Sequence, residues 1–326
     1  MKAFIRDLTE AIIQGHEINY EEAIKIMSID QEDQESLEVL FESSNQLRQH
    51  FVGDKVDLCT ILNARSGSCS EDCKFCSQSA HYKTQAATYD LLSYEEILAS
   101  AQEVERQGAH RFSLVTSGKG AGSQEEFDQL VEIYKKLRRD TNLNLCASHG
   151  IISQEQALAL KEAGVTMYHH NVECSEAYYP SIVSTHEYKD RVDTIRNVAS
   201  AGLEVCSGGI FGLGEKVEDR VKMAFELKDL NIKSVPLNVL MPVAGTPMAL
   251  NPVLSPMEIL KSMALFRFVI PDAFIRYAGG RMALKDKQAL GFKAGVNAAL
   301  VGDFLTTIGS DVENDKDMIL CSGLKI

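Results

Sequence analysis

Residues 56–78 read VDLCTILNARSGSCSEDCKFCSQ, an apolar run that leads into a loop with three cysteines. The run VDLCTIL (56–62) is short and rich in residues that favour extended structure, so it predicts a β-strand. Seven similar runs follow it along the chain: RFSLVTS (111–117), LNLCAS (143–148), VTMYHH (165–170), LEVCSGGI (203–210), VPLNVL (235–240), AFIRYA (273–278) and VNAALVG (296–302). The sequence therefore predicts eight strands.

Amphipathic stretches separate these strands, among them SYEEILASAQEVERQG (93–108) and SQEEFDQLVEIYKKLRRD (123–140). Each begins near a Ser or an acidic residue, and several end at Gly or Asn, as helices do. Strands that alternate with helices in this way predict an α/β fold, a parallel (β/α)8 TIM-type barrel. Residues 1–45 have a helical pattern, so we interpret them as an N-terminal helical cap and 46–326 as the barrel with a C-terminal tail.

Composition and charge limit the possible functions. Hydrophobic residues make up 45% of the 326 residues and charged residues 24%, which is typical of a globular chain with a full core. The formal net charge of −13 argues against a nucleic-acid partner, because phosphate backbones are bound by clustered Lys and Arg. The first residues contain no signal-like apolar segment, and no apolar run is long enough to span a bilayer. We therefore expect a cytoplasmic protein that binds no membrane.

The eight cysteines favour metal binding or catalysis over disulfides, in a chain of this length without a secretion signal. Cys69, Cys73 and Cys76 form a CxxxCxxC pattern. A structural zinc site usually takes four ligands in two separated pairs, although a zinc knuckle is an alternative. Three thiolates suit an iron–sulfur cluster with one iron left open to a substrate or cosubstrate. The loop after the first strand of a barrel lies at the end where the chemistry takes place.

A CxxxCxxC loop after the first barrel strand resembles the radical S-adenosylmethionine superfamily. The resemblance implies that Cys69, Cys73 and Cys76 are the catalytic ligands of a 4Fe–4S cluster. It further implies that the amine and carboxylate of S-adenosylmethionine chelate the open iron, and that one electron from the cluster releases a 5′-deoxyadenosyl radical. The protein then has to position cofactor and substrate and exclude side reactions.

Four later motifs narrow the resemblance: YHHNVECS (168–175), VCSGGIFGLGE (205–215), NVLMPVAGTP (238–247) and IRYAGGR (275–281). In this order they are similar to the signatures of the biotin synthase family, and the likeness covers nearly the whole chain. It implies sulfur insertion into dethiobiotin in two radical rounds, with sulfur from an auxiliary iron–sulfur cluster. It also implies ferredoxin or flavodoxin as electron donor, and a homodimer.

The resemblance places cosubstrate and substrate contacts on particular residues. A carboxylate at a strand end can accept hydrogen bonds from both ribose hydroxyls, and a guanidinium can bind a carboxylate through two hydrogen bonds. A surface acid and a helix-surface arginine are the alternative interpretations of Glu173 and Arg191. Glycines allow a close approach of the backbone to the adenosine. The implied binding residues are Asn171, Glu173, Arg191, Gly212, Gly214 and Asn238. His169 stands where the family motif has an asparagine.

The auxiliary cluster of the family takes three cysteines and one arginine from different strands. Cys146, Cys206 and Arg276 match three of these ligands, and Arg276 is also counted as catalytic. Ser113 stands at the position of the remaining cysteine, and a serine oxygen is a harder and rarer iron ligand. Cys59 on the adjacent first strand could replace it, because side chains alternate between the barrel interior and the helix layer.

Two ligand sets therefore stay open. In one, Ser113 joins the other three ligands around a 2Fe–2S cluster. In the other, Cys59 joins Cys146 and Cys206, and the number of irons can differ. Cys59 could also be an ordinary buried residue. Cys174 and Cys321 have no assigned role, and the electron donor and the means of sulfur replenishment are not indicated by the sequence.

Two other functions compete with sulfur insertion. The maturase of iron-only hydrogenase has a similar barrel and cysteine triad, but it leaves the match at Cys146, Cys206 and Arg276 unexplained. A non-catalytic iron–sulfur carrier or redox sensor leaves Glu173 and Arg191 unexplained. The triad with an open iron also counts against a non-catalytic role.

Overall fold

The computed structural model describes residues 1–302 and 311–326. Its strands are β1 (Asp57–Arg65), β2 (Arg111–Thr116), β3 (Asn144–Ser148), β4 (Val165–His169), β5 (Glu204–Cys206), β6 (Gly209–Phe211), β7 (Ser234–Val239), β8 (Phe274–Tyr277) and β9 (Ala298–Leu300). Its helices are α1 (Lys2–Ile13), α2 (Tyr20–Met27), α3 (Gln34–Phe51), α4 (Tyr94–Arg106), α5 (Gln124–Asp140), α6 (Gln154–Glu162), α7 (Tyr188–Ser200), α8 (Val217–Asp229), α9 (Pro256–Val269), α10 (Leu290–Lys293) and α11 (Val312–Cys321).

The strands form one closed parallel sheet in the order β5-β4-β3-β2-β1-β9-β8-β7-β6. Strands β5 and β6 occupy one position of the barrel, because both pair with β7. The sheet closes where Cys206 on β5 pairs with Ser234 on β7. The predicted (β/α)8 TIM-type barrel is therefore confirmed.

The fifth predicted strand (203–210) is broken into β5 and β6. Between them, Ser207 donates its backbone N–H to the carbonyl of Ser234. A Cβ on Gly208 would collide with the carbonyl oxygen of Pro236, so the chain passes the neighbouring strand too closely for a side chain. The sequence carries a signal for this break, because Ser207, Gly208 and Gly209 interrupt the run and glycines inside a strand often mark a close approach of another backbone.

Three helices of the barrel begin as the sequence predicts. Ser93, Ser123 and Ser153 each accept a hydrogen bond from the backbone N–H three residues later, and the side chain at that third position returns one. These capping boxes satisfy two of the free N–H groups at each helix start, and such a cap contributes about 1 kcal/mol.

Helices α1 to α3 pack on one side of the barrel. Helix α1 contacts α3, and α2 and α3 contact α9, which they cover from outside. Every residue of α9 from Glu258 to Val269 is consequently buried. The helical region ends at Phe51, and the division into a cap (1–45) and a barrel stays an interpretation. No helix of the described ranges is long and apolar enough to cross a membrane.

Candidate functional site

The cysteine loop follows β1 and is held by its own backbone. Cys69 donates its N–H to Gln78 O over 3.0 Å, and Ala80 donates to Cys69 O over 2.8 Å. Cys76 N–H in turn reaches Cys73 O at 2.9 Å. These bonds fold the loop into a compact turn that carries all three thiols, none of which is in a disulfide.

All three thiols line one cavity of about 280 Å³ at the C-terminal end of the strands. Burial raises the pKa of Cys73 to about 12, so its thiolate needs nearby positive charge such as iron ions supply. Across the described residues, no three His, Cys, Asp or Glu side chains converge as the ligands of a single ion do. Three thiols around a shared cavity are compatible with a cluster whose irons each take one thiolate.

The cysteine loop is anchored to the segment before α7. Asp72 accepts backbone N–H bonds from Ser184 at 2.9 Å and Thr185 at 3.2 Å. Although burial opposes the charge, these hydrogen bonds hold the pKa of Asp72 at about 2. The neighbouring Glu71 lies 2.6 Å from Nδ1 of buried His186. The loop with the triad is therefore tied to the part of the chain that supplies Arg191.

Asn171, Glu173 and Arg191 face the same cavity as the triad. Arg191 donates from Nε to the hydroxyl of Tyr179 at 2.7 Å and from Nη1 to the carbonyl of Asn171 at 2.9 Å. Its Nη1 lies 3.6 Å from the Glu173 carboxylate. Burial raises the pKa of Glu173, while the charge of Arg191 opposes that shift. The arrangement presents a carboxylate and a guanidinium side by side next to the thiols.

Glu173 has an uncommon backbone conformation, with a φ of 69°. The conformation is held by hydrogen bonds from Glu173 N to Gly208 O at 3.1 Å and from Ile210 N to Glu173 O at 2.8 Å. A left-handed non-glycine residue costs on the order of 1 kcal/mol, so neighbouring contacts must maintain it. A Cβ on Gly209 would lie 2.5 Å from the backbone oxygen of Glu173 and even closer to the sulfur of Met223, which together explain the glycine there.

The other three predicted binding residues lie outside the lining of this cavity. Gly212 and Gly214 follow β6 with φ of 92° and 101°. The N–H of Gly212 donates to Glu215 Oε1 at 2.9 Å. Asn238 on β7 donates to Gly209 O at 3.1 Å and accepts from Gly279 N at 2.9 Å. The amide of Asn238 thus links the ends of two strands.

A buried polar network behind the cavity was not predicted from the sequence. Thr116, which lines the cavity, lies 2.9 Å from His149 Nδ1, and the Tyr134 hydroxyl lies 2.9 Å from His149 Nε2. Burial lowers the pKa of His149 to about 3, so the ring is neutral. The only signal in the sequence is that Thr116 and His149 end or follow strands, where barrel sites are built.

A second group of thiols lies deeper in the barrel. Cys59 on β1, Cys146 on β3 and Cys206 on β5 are each at most 2% exposed, and we call them the inner cysteines. Side-chain contact with Cys146 lowers the pKa of Cys59 against the effect of burial, and the Arg276 charge contributes to the decrease. Cys206 accepts a hydrogen bond from Ser234 Oγ at 3.2 Å.

Ser113 points to the same interior side as Cys146, with which it is paired in register. Its Oγ lies 3.5 Å from Nδ1 of His169. Burial lowers the pKa of His169 to about 3, which keeps this ring neutral. Cys59 and Ser113, the two alternative ligands of the auxiliary cluster, therefore both reach the barrel interior. Cys59 interacts there with the thiol of Cys146, and Ser113 lies beside the imidazole of His169.

Arg276 on β8 is directed towards the start of β1. Its Nη2 lies 2.5 Å from the Asp57 carboxylate, and its Nη1 donates to the Asp57 carbonyl at 3.1 Å. Burial acts against the charge, but Asp57 and the nearby thiols raise the pKa of Arg276 overall. Its Nε is buried and has no hydrogen-bond partner among the described residues.

The two remaining cysteines, Cys174 and Cys321, do not line the cavity of the triad. Cys174 is 2% exposed and belongs to the main hydrophobic core. Cys321 is exposed at the end of α11.

Comparison with known proteins gives two family matches and many relatives. The family model of the radical SAM superfamily matches residues 65–227, and that of the Biotin and Thiamin Synthesis associated domain matches 236–325. The biotin synthase of Clostridioides difficile is 54% identical over 326 residues, which is 100% of both chains. The biotin synthase of Acetivibrio thermocellus is 52% identical over 323 residues, which is 99% of each.

Solved structures with the same fold include a methylornithine synthase and a hydrogenase maturase. The methylornithine synthase has a TM-score of 0.86 at 20% identity, over 98% of this chain and 96% of that chain. The FeFe-hydrogenase maturase from Carboxydothermus hydrogenoformans has a TM-score of 0.81 at 17% identity, over 98% and 78%. At these identities the likeness concerns the fold alone.

Proposed function

The chain belongs to the biotin synthase family of the radical SAM superfamily, and we propose that it catalyses the reaction of that family, sulfur insertion into dethiobiotin to give biotin. The observation that carries the proposal is the presence of two separate thiol groups at two depths of one barrel. Radical initiation needs one set of thiolates with an open iron, and sulfur donation needs a second set within the barrel.

We assign the radical centre to Cys69, Cys73 and Cys76, which would hold a 4Fe–4S cluster. Such a cluster, when bound with S-adenosylmethionine, supplies the electron that generates a 5′-deoxyadenosyl radical. The chain's contribution is to hold the three thiols on a rigid loop, anchored through Asp72. A fixed loop keeps the cosubstrate in one orientation and lowers the entropy cost of reaching the reactive geometry.

Asn171, Glu173 and Arg191 are assigned to the cosubstrate because they face the cavity beside the triad. The Glu173 carboxylate can accept hydrogen bonds from hydroxyls, and the Arg191 guanidinium can donate to a carboxylate. Their mutual distance of 3.6 Å keeps both charged groups paired until the ligand arrives. Gly212 and Gly214 are assigned to the adenosine of the cosubstrate, and Asn238 to the substrate side.

The inner cysteines are proposed as thiolate ligands of an auxiliary iron–sulfur cluster that supplies the inserted sulfur. The burial of Cys59 together with Cys146 and Cys206, and the greater affinity of iron for thiolate than for a serine oxygen, support Cys59 as the third thiolate ligand in place of Ser113. Arg276 is proposed as the fourth side chain at this cluster, through the Nε atom that Asp57 leaves free. With this ligand set the number of irons in the cluster can differ from two, and it has to be measured.

The remaining proposals concern partners and compartment. Ferredoxin or flavodoxin is proposed as the donor of the single electrons that radical chemistry consumes, and a homodimer as the assembly. Thiols that bind clusters need a reducing compartment, which favours the cytoplasm. All eight cysteines are free, which agrees with such a location.

The test is an anaerobic incubation of reconstituted protein with dethiobiotin, S-adenosylmethionine and a reductant, followed by mass spectrometry. Formation of both biotin and 5′-deoxyadenosine is the expected result. Deoxyadenosine without biotin would mean that the chain initiates radicals but that its substrate or its sulfur donor is a different one. If neither appears while both clusters are intact and reduced, the enzymatic proposal is wrong.

A further inference from the structure

A second cavity, of about 440 Å³, opens on the opposite end of the barrel from the radical site. It is bordered by the starts of β1, β2, β5, β7 and β8 and by the end of α7. We call it the seam cavity. A cavity of this size could hold several water molecules, each of which takes about 30 Å³ in the liquid.

The seam cavity lies where the barrel wall is least continuous. Strand β5 is three residues long and pairs with β7 at one position, Cys206 with Ser234. Neighbouring pairs such as β1 and β2 or β2 and β3 share five or more positions. The backbone of Glu204 and Val205 therefore has no β7 partner on this side, and the gap leaves room for a passage.

The seam cavity runs from exposed residues to the inner cysteines. Ala199 and Lys233 are exposed at its mouth, whereas Met167, Ser234 and Arg276 form its buried inner wall. Ser234 Oγ lies 3.2 Å from the Cys206 sulfur, and Met167 packs against Cys146 and Cys206. A single layer of side chains therefore separates the inner end of the cavity from the proposed auxiliary site.

The lining carries paired charges and one unpartnered N–H donor. Asp57 pairs with Arg276 at 2.5 Å and with Arg111 at 3.3 Å, and Arg111 also pairs with Glu204 at 3.3 Å. The Nε of Arg276, a residue 3% exposed, has no hydrogen-bond partner among the described residues. This is the atom assigned above to the auxiliary cluster, and a buried N–H without a partner is unfavourable, so a small anion that arrives before the cluster is complete would satisfy it.

We propose that the seam cavity is the route by which hydrosulfide, a small sulfur anion, reaches the inner cysteines. The inference rests on the proposed function, because sulfur insertion consumes one sulfur atom for each biotin and the site has to be refilled. The cavity beside Cys69 is assigned to the cosubstrate, so a route from the other end allows refilling without displacing it. Passage of the anion makes and breaks no covalent bond.

The test follows sulfur uptake by the holoenzyme after one turnover. The protein is incubated anaerobically with 34S-labelled sodium hydrosulfide and desalted, and its acid-labile sulfide is analysed by isotope-ratio mass spectrometry against time. In Ala199→Trp the indole should fill the mouth. The expected result is an uptake rate at least about tenfold lower in this variant, with the first turnover unchanged, because the indole would occupy the space through which the anion has to enter.

Matched variants distinguish the route from general damage. Ala99→Trp places the same side chain on an exposed helical position of α4 and should leave uptake unchanged. Lys233→Trp narrows the mouth from its other side and should slow uptake as Ala199→Trp does. Unaltered uptake in both mouth variants, with thermal melting equal to that of the wild type, would overturn the route.

The result also separates the route from the function. Biotin in the first turnover without any 34S uptake by the wild type would overturn the supply role and leave the proposed function intact. Absence of biotin together with absence of an auxiliary cluster would overturn the proposed function itself, and the route with it.

Discussion

Cys59 and Cys146 are both buried inside the barrel, and the interaction between them lowers the pKa of Cys59, although β2 separates their strands in the sheet. Cys59 is level with Arg111 on β2, two residues before Ser113, whereas Cys146 is level with Ser113 itself. Ser113 therefore lies on the strand between the two thiols. The ligand set of the proposed auxiliary cluster can be decided by exchanging Cys59 and Ser113 separately.

Cys59→Ala should remove the auxiliary cluster and lower biotin formation by about 100-fold or more, because changes even in residues that only support ligands cost 10–100-fold. Deoxyadenosine should still form, since the triad is untouched. Iron content, Mössbauer spectra and product analysis provide the measurements. Ser113→Ala is the matched control, and its rate of biotin formation should fall no more than a few-fold. The opposite pattern would assign the ligand role to Ser113.

Glu173→Gln should raise the KM for S-adenosylmethionine by about 10–100-fold, because hydrogen bonds to a charged group contribute about 1.5–3 kcal/mol. The absorbance of the triad cluster should be unchanged. Glu176→Gln, on an exposed residue of the same segment, is the control and should bind normally. An unchanged KM in Glu173→Gln would show that this carboxylate does not bind the cosubstrate.

Gly209→Ala should displace Glu173, since the new methyl group would lie 2.5 Å from the Glu173 carbonyl oxygen. Overpacking of this kind costs about 1–3 kcal/mol. We expect a lower melting temperature together with weaker cosubstrate binding, measured by calorimetry and equilibrium dialysis. Normal binding in a stably folded variant would contradict the role assigned to the β6 contact.

Asp72→Asn tests the anchor of the cysteine loop. The pKa of Asp72 is about 2 in the folded protein and 3.8 in the reference state. Because the folded-state pKa is the lower one, its stabilisation is fully present above pH 4 and is lost as the pH falls towards about 2.

The Asp72→Asn variant should melt about 2 °C below the wild type at neutral pH, since a partly exposed charged hydrogen bond contributes about 1 kcal/mol. The difference should narrow as the pH falls from 4 to 3. Asp128→Asn, on the exposed surface of α5, should show no such difference. A difference that does not change with pH would rule out the Asp72 charge as its source.

The barrel and its triad were predictable because both depend on local signals. Strand-forming runs and capping residues such as Ser93 lie within a few positions of the structures that they specify. Three cysteines within eight residues likewise predict a cluster site from their own spacing, without information from the rest of the chain. The family resemblance rested on ordered motifs and was confirmed by relatives of similar length.

The parts that were missed depend on contacts between distant residues. The anchor from Asp72 to Thr185 and the pairing of His149 with Tyr134 join segments whose approach is decided by the closed sheet. The break between β5 and β6 depends on how closely Pro236 passes Gly208. Such distances arise from tertiary packing, and no pattern within either segment contains them.

The pairing of β1 with β9 has a consequence for folding during synthesis. Asp57 is synthesised about 240 residues before Ala298, its partner in the sheet. Helix α3 is likewise synthesised long before α9, which it contacts in the folded protein. Long-range pairing of this kind delays folding. We therefore expect the nascent chain to keep its barrel open until synthesis is nearly complete, and iron and sulfide to be loaded only onto the released polypeptide.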